Sequence, residues 1–325
     1  MRMADIEHPE TFYGLPVLTL PGPDQSRTDP LPAADSVAWR LESAWRDGLT
    51  FAALWQHFLD TVDTSRVRAL LIGPWWQEEY ESFAPVVELL AGHADRFPAL
   101  KALFLADVVS EECELSWLEM SDITPVIEAF GPLEELTVRG CGEPIDGKET
   151  LGLRPVRHKA LKSLRFESGG LPSGIVRAIG ASELPALEHL ELWLGVTEYG
   201  GDATVEDLAP LLSGAAFPAL RHLGLQNSEI QDEIAAAVAS APVVAQLESL
   251  SLAMGTLGDE GATALLSGQP LTHLTSLDLH HHYISDALVD RLRSLLGSGR
   301  VNDEIHEVEY WDPEEDEDRY VAVAE

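Results

Sequence analysis

Apolar residues recur along this chain in one figure, L-x-x-L-x-L, and polar residues fill the gaps. Copies start at Val67, Leu100, Leu133, Leu161, Leu187, Leu220, Leu247 and Leu274, and a weaker ninth, IHEVEY, starts at Ile305. Successive copies lie 26 to 33 residues apart. Within a copy the last two apolar positions alternate, the mark of a short strand that buries one face. Each chain segment between copies has room for a loop and a helix. Residues 231–239, 258–266 and 285–296 have helical patterning, and in the last Leu288, Leu292, Leu295 and Leu296 share a face. Ser285 is placed to cap that helix and Gly297 to stop it. One copy cannot bury its apolar face, but stacked copies can. The pattern therefore predicts an α/β solenoid, with a parallel sheet of strands about 4.8 Å apart on the concave side and helices on the convex side.

The first 66 residues do not repeat. A Pro/Gly-rich loop is expected at 21–35, a strand at 36–42 (SVAWRLE), and a helix at 47–64 with Thr50 as N-cap. Phe51, Leu54, Trp55, Phe58, Leu59 and Val62 make that helix's apolar stripe. The division is then 1–66 as an N-terminal cap, 67–300 as eight repeats, and 301–325 as a degenerate ninth repeat with an acidic tail (Asp312 to Asp318), read as a solvated tail or edge cover, with a lure for a basic partner as the alternative.

Composition narrows the function classes. With 21 basic and 55 acidic residues the net charge is −34, which repels phosphate backbones and anionic membranes; neither a nucleic acid nor a membrane is expected as partner. A basic partner would be attracted. Two cysteines, Cys113 and Cys141, are too few for a disulfide framework, and the N-terminus MRMADIEHPE has no signal-peptide core, so a cytoplasmic protein is expected. No phosphate-binding loop, dinucleotide fingerprint or nucleophile elbow occurs, so no enzyme activity and no cofactor are expected.

The repeat resembles the leucine-rich repeats of the ribonuclease-inhibitor-like class. The nearest match is LESLSLAMGTLGDEGATALL at 247–266, where LGDEGATALL mirrors that class's helix entry, with Ile230 and Ile284 in the place of Leu257. The resemblance spans about residues 67 to 311 and implies a horseshoe or arc that binds partners on its concave face. One departure matters. The position after the strand, often Asn or Cys in the class, holds Cys141, Ser228 and His282, but Gly169, Gly195 and Gly255 elsewhere. A continuous asparagine ladder is absent. FYGLPV and FLDTVDTSRVRALLIGPW also look like an uncharacterised bacterial family of actinobacterial type. That likeness suggests an accessory or specificity subunit of a modifying or biosynthetic enzyme.

Counting from the first leucine of a copy, positions 3, 5 and 7 face the concave side. Early copies place apolar Leu71 and Phe104 there, which calls for cover by the N-terminal segment (Leu15, Val17, Leu18, Leu20) or by a partner. Middle copies place Glu135, Thr137, Arg139, Arg165 and Glu167. Later copies place His189, Glu191, Trp193, His222, Gln226, Asp278 and His280, and the ninth would add Trp311. These eight residues are the expected contact surface for a protein partner, with Trp193 as an exposed aromatic anchor. The run His280-His281-His282 ends the eighth strand. Adjacent strand residues face opposite ways, so the run itself does not make a metal site. His222, Asp278 and His280 converging across strands would be the alternative, a small-molecule or metal-binding protein.

Overall fold

The central leucine of each of the first eight copies falls in register with the next. Leu70 pairs with Leu103, then Leu136, Leu164, Leu190, Leu223, Leu250 and Leu277. This computed structural model describes residues 6–23, 30–43, 48–77, 81–142, 150–297, 299–302 and 319–324. Twelve strands form one sheet in chain order: β1 Thr11–Phe12, β2 Leu15–Thr19, β3 Ala38–Leu41, β4 Ala69–Ile72, β5 Ala102–Leu105, β6 Glu135–Arg139, β7 Ser163–Glu167, β8 His189–Gly195, β9 His222–Ser228, β10 Ser249–Ser251, β11 Ser276–Asp278 and β12 Val301–Asn302. All neighbours from β2 onward are parallel. The expected 36–42 strand is β3, whose Trp39 continues the leucine row against Leu70. The sheet edge after the eighth copy is Val301–Asn302, paired to β11; IHEVEY and the acidic stretch 312–318 lie outside the described residues.

Helices return the chain on the convex side: α1 Phe51–Thr61, α2 Ala84–Gly92, α3 Thr124–Ala129, α4 Ser173–Gly180, α5 Val205–Leu212, α6 Gln231–Val238, α7 Asp259–Ser267 and α8 Asp286–Leu296. Thr50 caps α1, its hydroxyl accepting from the Ala53 amide at 3.2 Å. In α8 Val289, Leu292 and Leu296 are buried. Leu295, expected on the same face, is exposed, because it lies one position round from Leu296 on the solvent side of the stripe. Gly297 ends α8 at φ 87, which suits a residue without Cβ. Trp55 and Phe58 of α1 pack on Phe97 at 5.5 and 6.1 Å, so the first helix joins the same continuous core as the repeats.

The strand ends follow one backbone rule. Asn227, Met254 and His281 hold the same place in three successive copies, and all have positive φ. In two of the three the next residue then ties the departing chain. Ser228 accepts from the Ile230 amide at 3.2 Å and His282 Nδ1 from the Ile284 amide at 3.0 Å. Cys141 holds the same place in the third copy, but its Sγ accepts from the Gly169 amide of the neighbouring copy at 3.2 Å. Residues 319–324 return across this rim as a strap. The Tyr320 carbonyl accepts from His281 Nε2 at 2.9 Å, the Ala322 amide donates to Met254 at 2.8 Å, and Asn227 exchanges two hydrogen bonds with Val323 at 2.6 and 2.9 Å. Val321, Ala322 and Val323 are buried there.

Candidate functional site

The concave face has two halves of different chemistry, and the chain covers the apolar half itself. β1 and β2 form a hairpin through Tyr13 and Gly14, at φ 52 and 68, the backbone of a tight two-residue turn. Phe12, with Tyr13, Leu15 and Val17 beside it, packs over Ala38, Ala69, Leu71, Ala102 and Phe104. Phe12 and Phe104 meet at 6.0 Å. The expected cover is thus present in part. Leu15 and Val17 supply it, whereas Leu18 and Leu20 pack against the main core on the other side of the strand, as alternation requires.

A chain of charges crosses the sheet beside this plug. Arg40 of β3 binds Asp107 at 2.8 Å, and Asp107 has no solvent exposure. His8 Nδ1 reaches the same carboxylate at 3.0 Å. Arg139 lies 3.8 Å from Asp107 and 2.7 Å from Glu167. Arg165 continues the chain, 2.8 Å from Glu167 and 3.1 Å from Glu191. Burial alone would raise the Asp107 carboxyl, but the His8 hydrogen bond and the charges of Arg40, His8 and Arg139 outweigh it and hold the group below its ordinary value. A cleft of about 390 Å³ opens between this chain and residues 6–12, with Arg139, Arg165, Glu167, Trp193, Phe104 and Ile6 among its walls.

Trp193 is the main correction to the expected contact surface. It is buried, 6 % exposed, not an exposed anchor. The Arg165 guanidinium lies 5.3 Å over its ring, and its indole N–H donates to Glu191 at 3.2 Å. Direction along the strand places it on the concave side, but the long Arg165 of the adjacent strand leans across it. Gln226, its register partner on β9, is buried too.

His189, Glu191 and His222 do come together. Glu191 Oε2 lies 3.3 Å from His189 Nε2 and 3.9 Å from His222 Nε2. The two imidazoles stack at 4.0 Å, 8° from parallel. Burial would raise the Glu191 carboxyl, but the His189 hydrogen bond, the Arg165 charge and the indole N–H outweigh it and hold it at about 2. Burial, with the neighbouring His189, lowers the His222 imidazole to about 4. Near neutral pH the trio is therefore one carboxylate facing a neutral ring.

Asp278 and His280 make a separate pair at 2.9 Å, each 27 % exposed, with Asn302 donating to Asp278 at 3.0 Å. His222 is not part of it, because Ser249 of the intervening strand takes the His222 Nδ1 at 2.7 Å. The His222, Asp278 and His280 metal set is thereby corrected. Among the described residues, the group able to hold an ion is His189, Glu191 and His222. The three consecutive histidines take three roles: ion pair, strap contact and loop tie. Trp311 lies outside the described residues.

Sequence reading missed Asp107, Arg40 and His8. One signal was present. Gly73 and Gly224 stand at concave positions, and a Cβ there would lie 3.0 Å from the Arg40 guanidinium and 2.8 Å from Glu191 Cγ respectively. A concave glycine marks the path of a neighbour's long side chain.

The family model described as Leucine Rich repeat matches residues 246–266, the β10–α7 unit. The fold is a leucine-rich repeat solenoid. A crystal structure of a Bacteroides fragilis protein is similar to it, with a TM-score of 0.72 and 28 % identity over 85 % of this chain and 73 % of that one. No curated protein matches the chain. Among the described residues no helix is long and apolar enough to cross a membrane.

Proposed function

We propose that this protein is a non-enzymatic scaffold that binds a protein partner on the concave face of β7–β11. One observation carries the reading: the chain plugs its own apolar rows with β1 and β2, while the polar rows keep half-exposed, pre-organised groups. Arg165 and His189 are 37 % and 39 % exposed yet already held, Arg165 by ion pairs to Glu167 and Glu191 and His189 by a hydrogen bond to Glu191. Polar groups fixed before encounter confer specificity, since little side-chain freedom is lost on binding. The net charge of −34 favours a basic partner surface. Within this reading the repeats are of the ribonuclease-inhibitor-like class, supported by the LGDEGATALL entry into α7, and the two cysteines without a disulfide suit a reducing compartment.

Affinity capture from the native cell tests this with three baits: the native chain, Asp278→Arg with His189→Glu on the concave face, and Glu233→Arg on the convex side. A protein held by the first and third baits and lost from the second supports the concave scaffold. Capture by all three, or by none, overturns it.

A further inference from the structure

We infer that His189, Glu191 and His222 form a binding site for a single divalent transition-metal ion, of which zinc best suits the donor set. The inference does not rest on the partner reading. Two imidazoles and one carboxylate are a set that zinc takes, leaving a further position for water or an incoming donor. Metal–ligand bonds of about 2.0–2.1 Å put tetrahedral donors roughly 3.3–3.5 Å apart. Here Glu191 Oε2 stands 3.3 Å from one ring nitrogen and 3.9 Å from the other, and all three donor atoms lie within 4.8 Å of one another. Closing the three donors from within 4.8 Å of one another to that spacing, with the imidazoles turning out of their stack, completes the geometry.

Supporting contacts are already in place. A ligating imidazole ordinarily has its other nitrogen hydrogen-bonded, which fixes the tautomer and aims the lone pair. Ser249 Oγ holds His222 Nδ1 at 2.7 Å. In the tautomer in which Nδ1 donates to Ser249, the Nε2 lone pair faces Glu191. That Nε2 is enclosed and makes no hydrogen bond among the described residues. A cation between that lone pair and the carboxylate would bind to both. Glu191 is oriented as well. Its Oε1 takes Arg165 at 3.1 Å and the Trp193 indole at 3.2 Å, which leaves Oε2 for the histidines. Gly224 leaves the space open, since a Cβ there would lie 2.8 Å from Glu191 Cγ and 3.4 Å from His222 Nε2.

Calorimetric titration of the untagged full chain with zinc, with cobalt(II) absorption as a spectroscopic copy, tests the site. The expected result is one ion per chain and visible bands of low-coordinate cobalt. Both should vanish in His189→Ala/His222→Ala and persist in His280→Ala, which disturbs the neighbouring histidine run. Ser249→Ala keeps all three donors and should weaken binding about 10–100-fold, the usual effect of losing a supporting hydrogen bond. Gly224→Ala should also weaken it while keeping every ligand. Near-UV circular dichroism of each variant separates lost binding from lost folding. No stoichiometric binding by the native chain overturns the inference. So does binding that survives in the folded His189/His222 variant and disappears with His280.

Discussion

Raising the pH should loosen the N-terminal arm from the sheet, through His8. His8 Nδ1 lies 3.0 Å from Asp107 and its Nε2 3.4 Å from Glu112, with Arg40 Nη2 3.2 Å from the ring. Hydrogen bonds to Asp107 and then Glu112 raise the imidazole from 6.5 to about 9, against desolvation and the Arg40 charge. A value raised in the docked state means that docking binds a proton. The stabilisation is complete below about pH 6.5 and fades as pH rises through about 9. Asp107 is displaced the other way, downward, so its contribution is lost only in acid and leaves this alkaline window untouched. A displacement from 6.5 to about 9 corresponds to about 3 kcal/mol at 1.36 kcal/mol per pH unit. The ring is 33 % exposed, and solvent screening reduces the figure to about 1–2 kcal/mol.

That energy is a factor of roughly 5–30 in the docking equilibrium. Hydrogen exchange at the Val17 amide, which donates to Glu10 at 2.9 Å, reads it directly. Protection factors, corrected for intrinsic exchange, should fall by that factor between pH 6.5 and 9.5. In His8→Gln they should be low and nearly flat. Equal protection at both pH values in the native chain would refute the latch, as would the same decline in His8→Gln.

Leu250→Ala should cost about 2–5 kcal/mol in denaturant unfolding, because Leu250 is 1 % exposed in the leucine row; a neutral result would mean the row is not the core. Trp193→Ala should cost about 3–5 kcal/mol, as a ring 6 % exposed under Arg165; thermal stability within a degree or two of the native chain would restore it as a surface anchor. Asn227→Ala should cost about 1–3 kcal/mol, since Val323 and the Ser168 carbonyl lose a buried partner. Protease sensitivity should then rise first at residues 319–324, and unchanged cleavage there would argue against the strap.

The solenoid was legible because its signal is local and repeated. Each copy states the same alternation, so Leu70 through Leu277 could be aligned before any contact was known, and the sheet pairs them in that order. Helix ends were legible for the same reason, as Thr50 and Gly297 act within a few residues of themselves. The strap was not. Tyr320 to Ala324 meets Asn227, Met254 and His281 across 39 to 96 positions of chain, and nothing periodic announces such a return. An alternating V-A-V-A after an acidic run was its only trace.

The site shows where strand arithmetic stops. Position number tells which way a side chain leaves the sheet, and it placed His189, Glu191, His222 and Trp193 on one face. It does not tell how far a neighbour leans. In a parallel solenoid adjacent rows are about 4.8 Å apart, less than the length of an arginine, so a concave residue is exposed only if the next row is short. Arg165 therefore buries Trp193, while Ser249 beyond His222 is too short to cover it and bonds its nitrogen instead. The same argument explains the glycines. Where a long side chain must cross a row, the row gives up its Cβ, at Gly73 for Arg40 and at Gly224 for Glu191. Reading the concave face row by row, with side-chain length beside direction, recovers the buried charge chain and the histidine pair together, because both depend on which neighbour is long enough to reach.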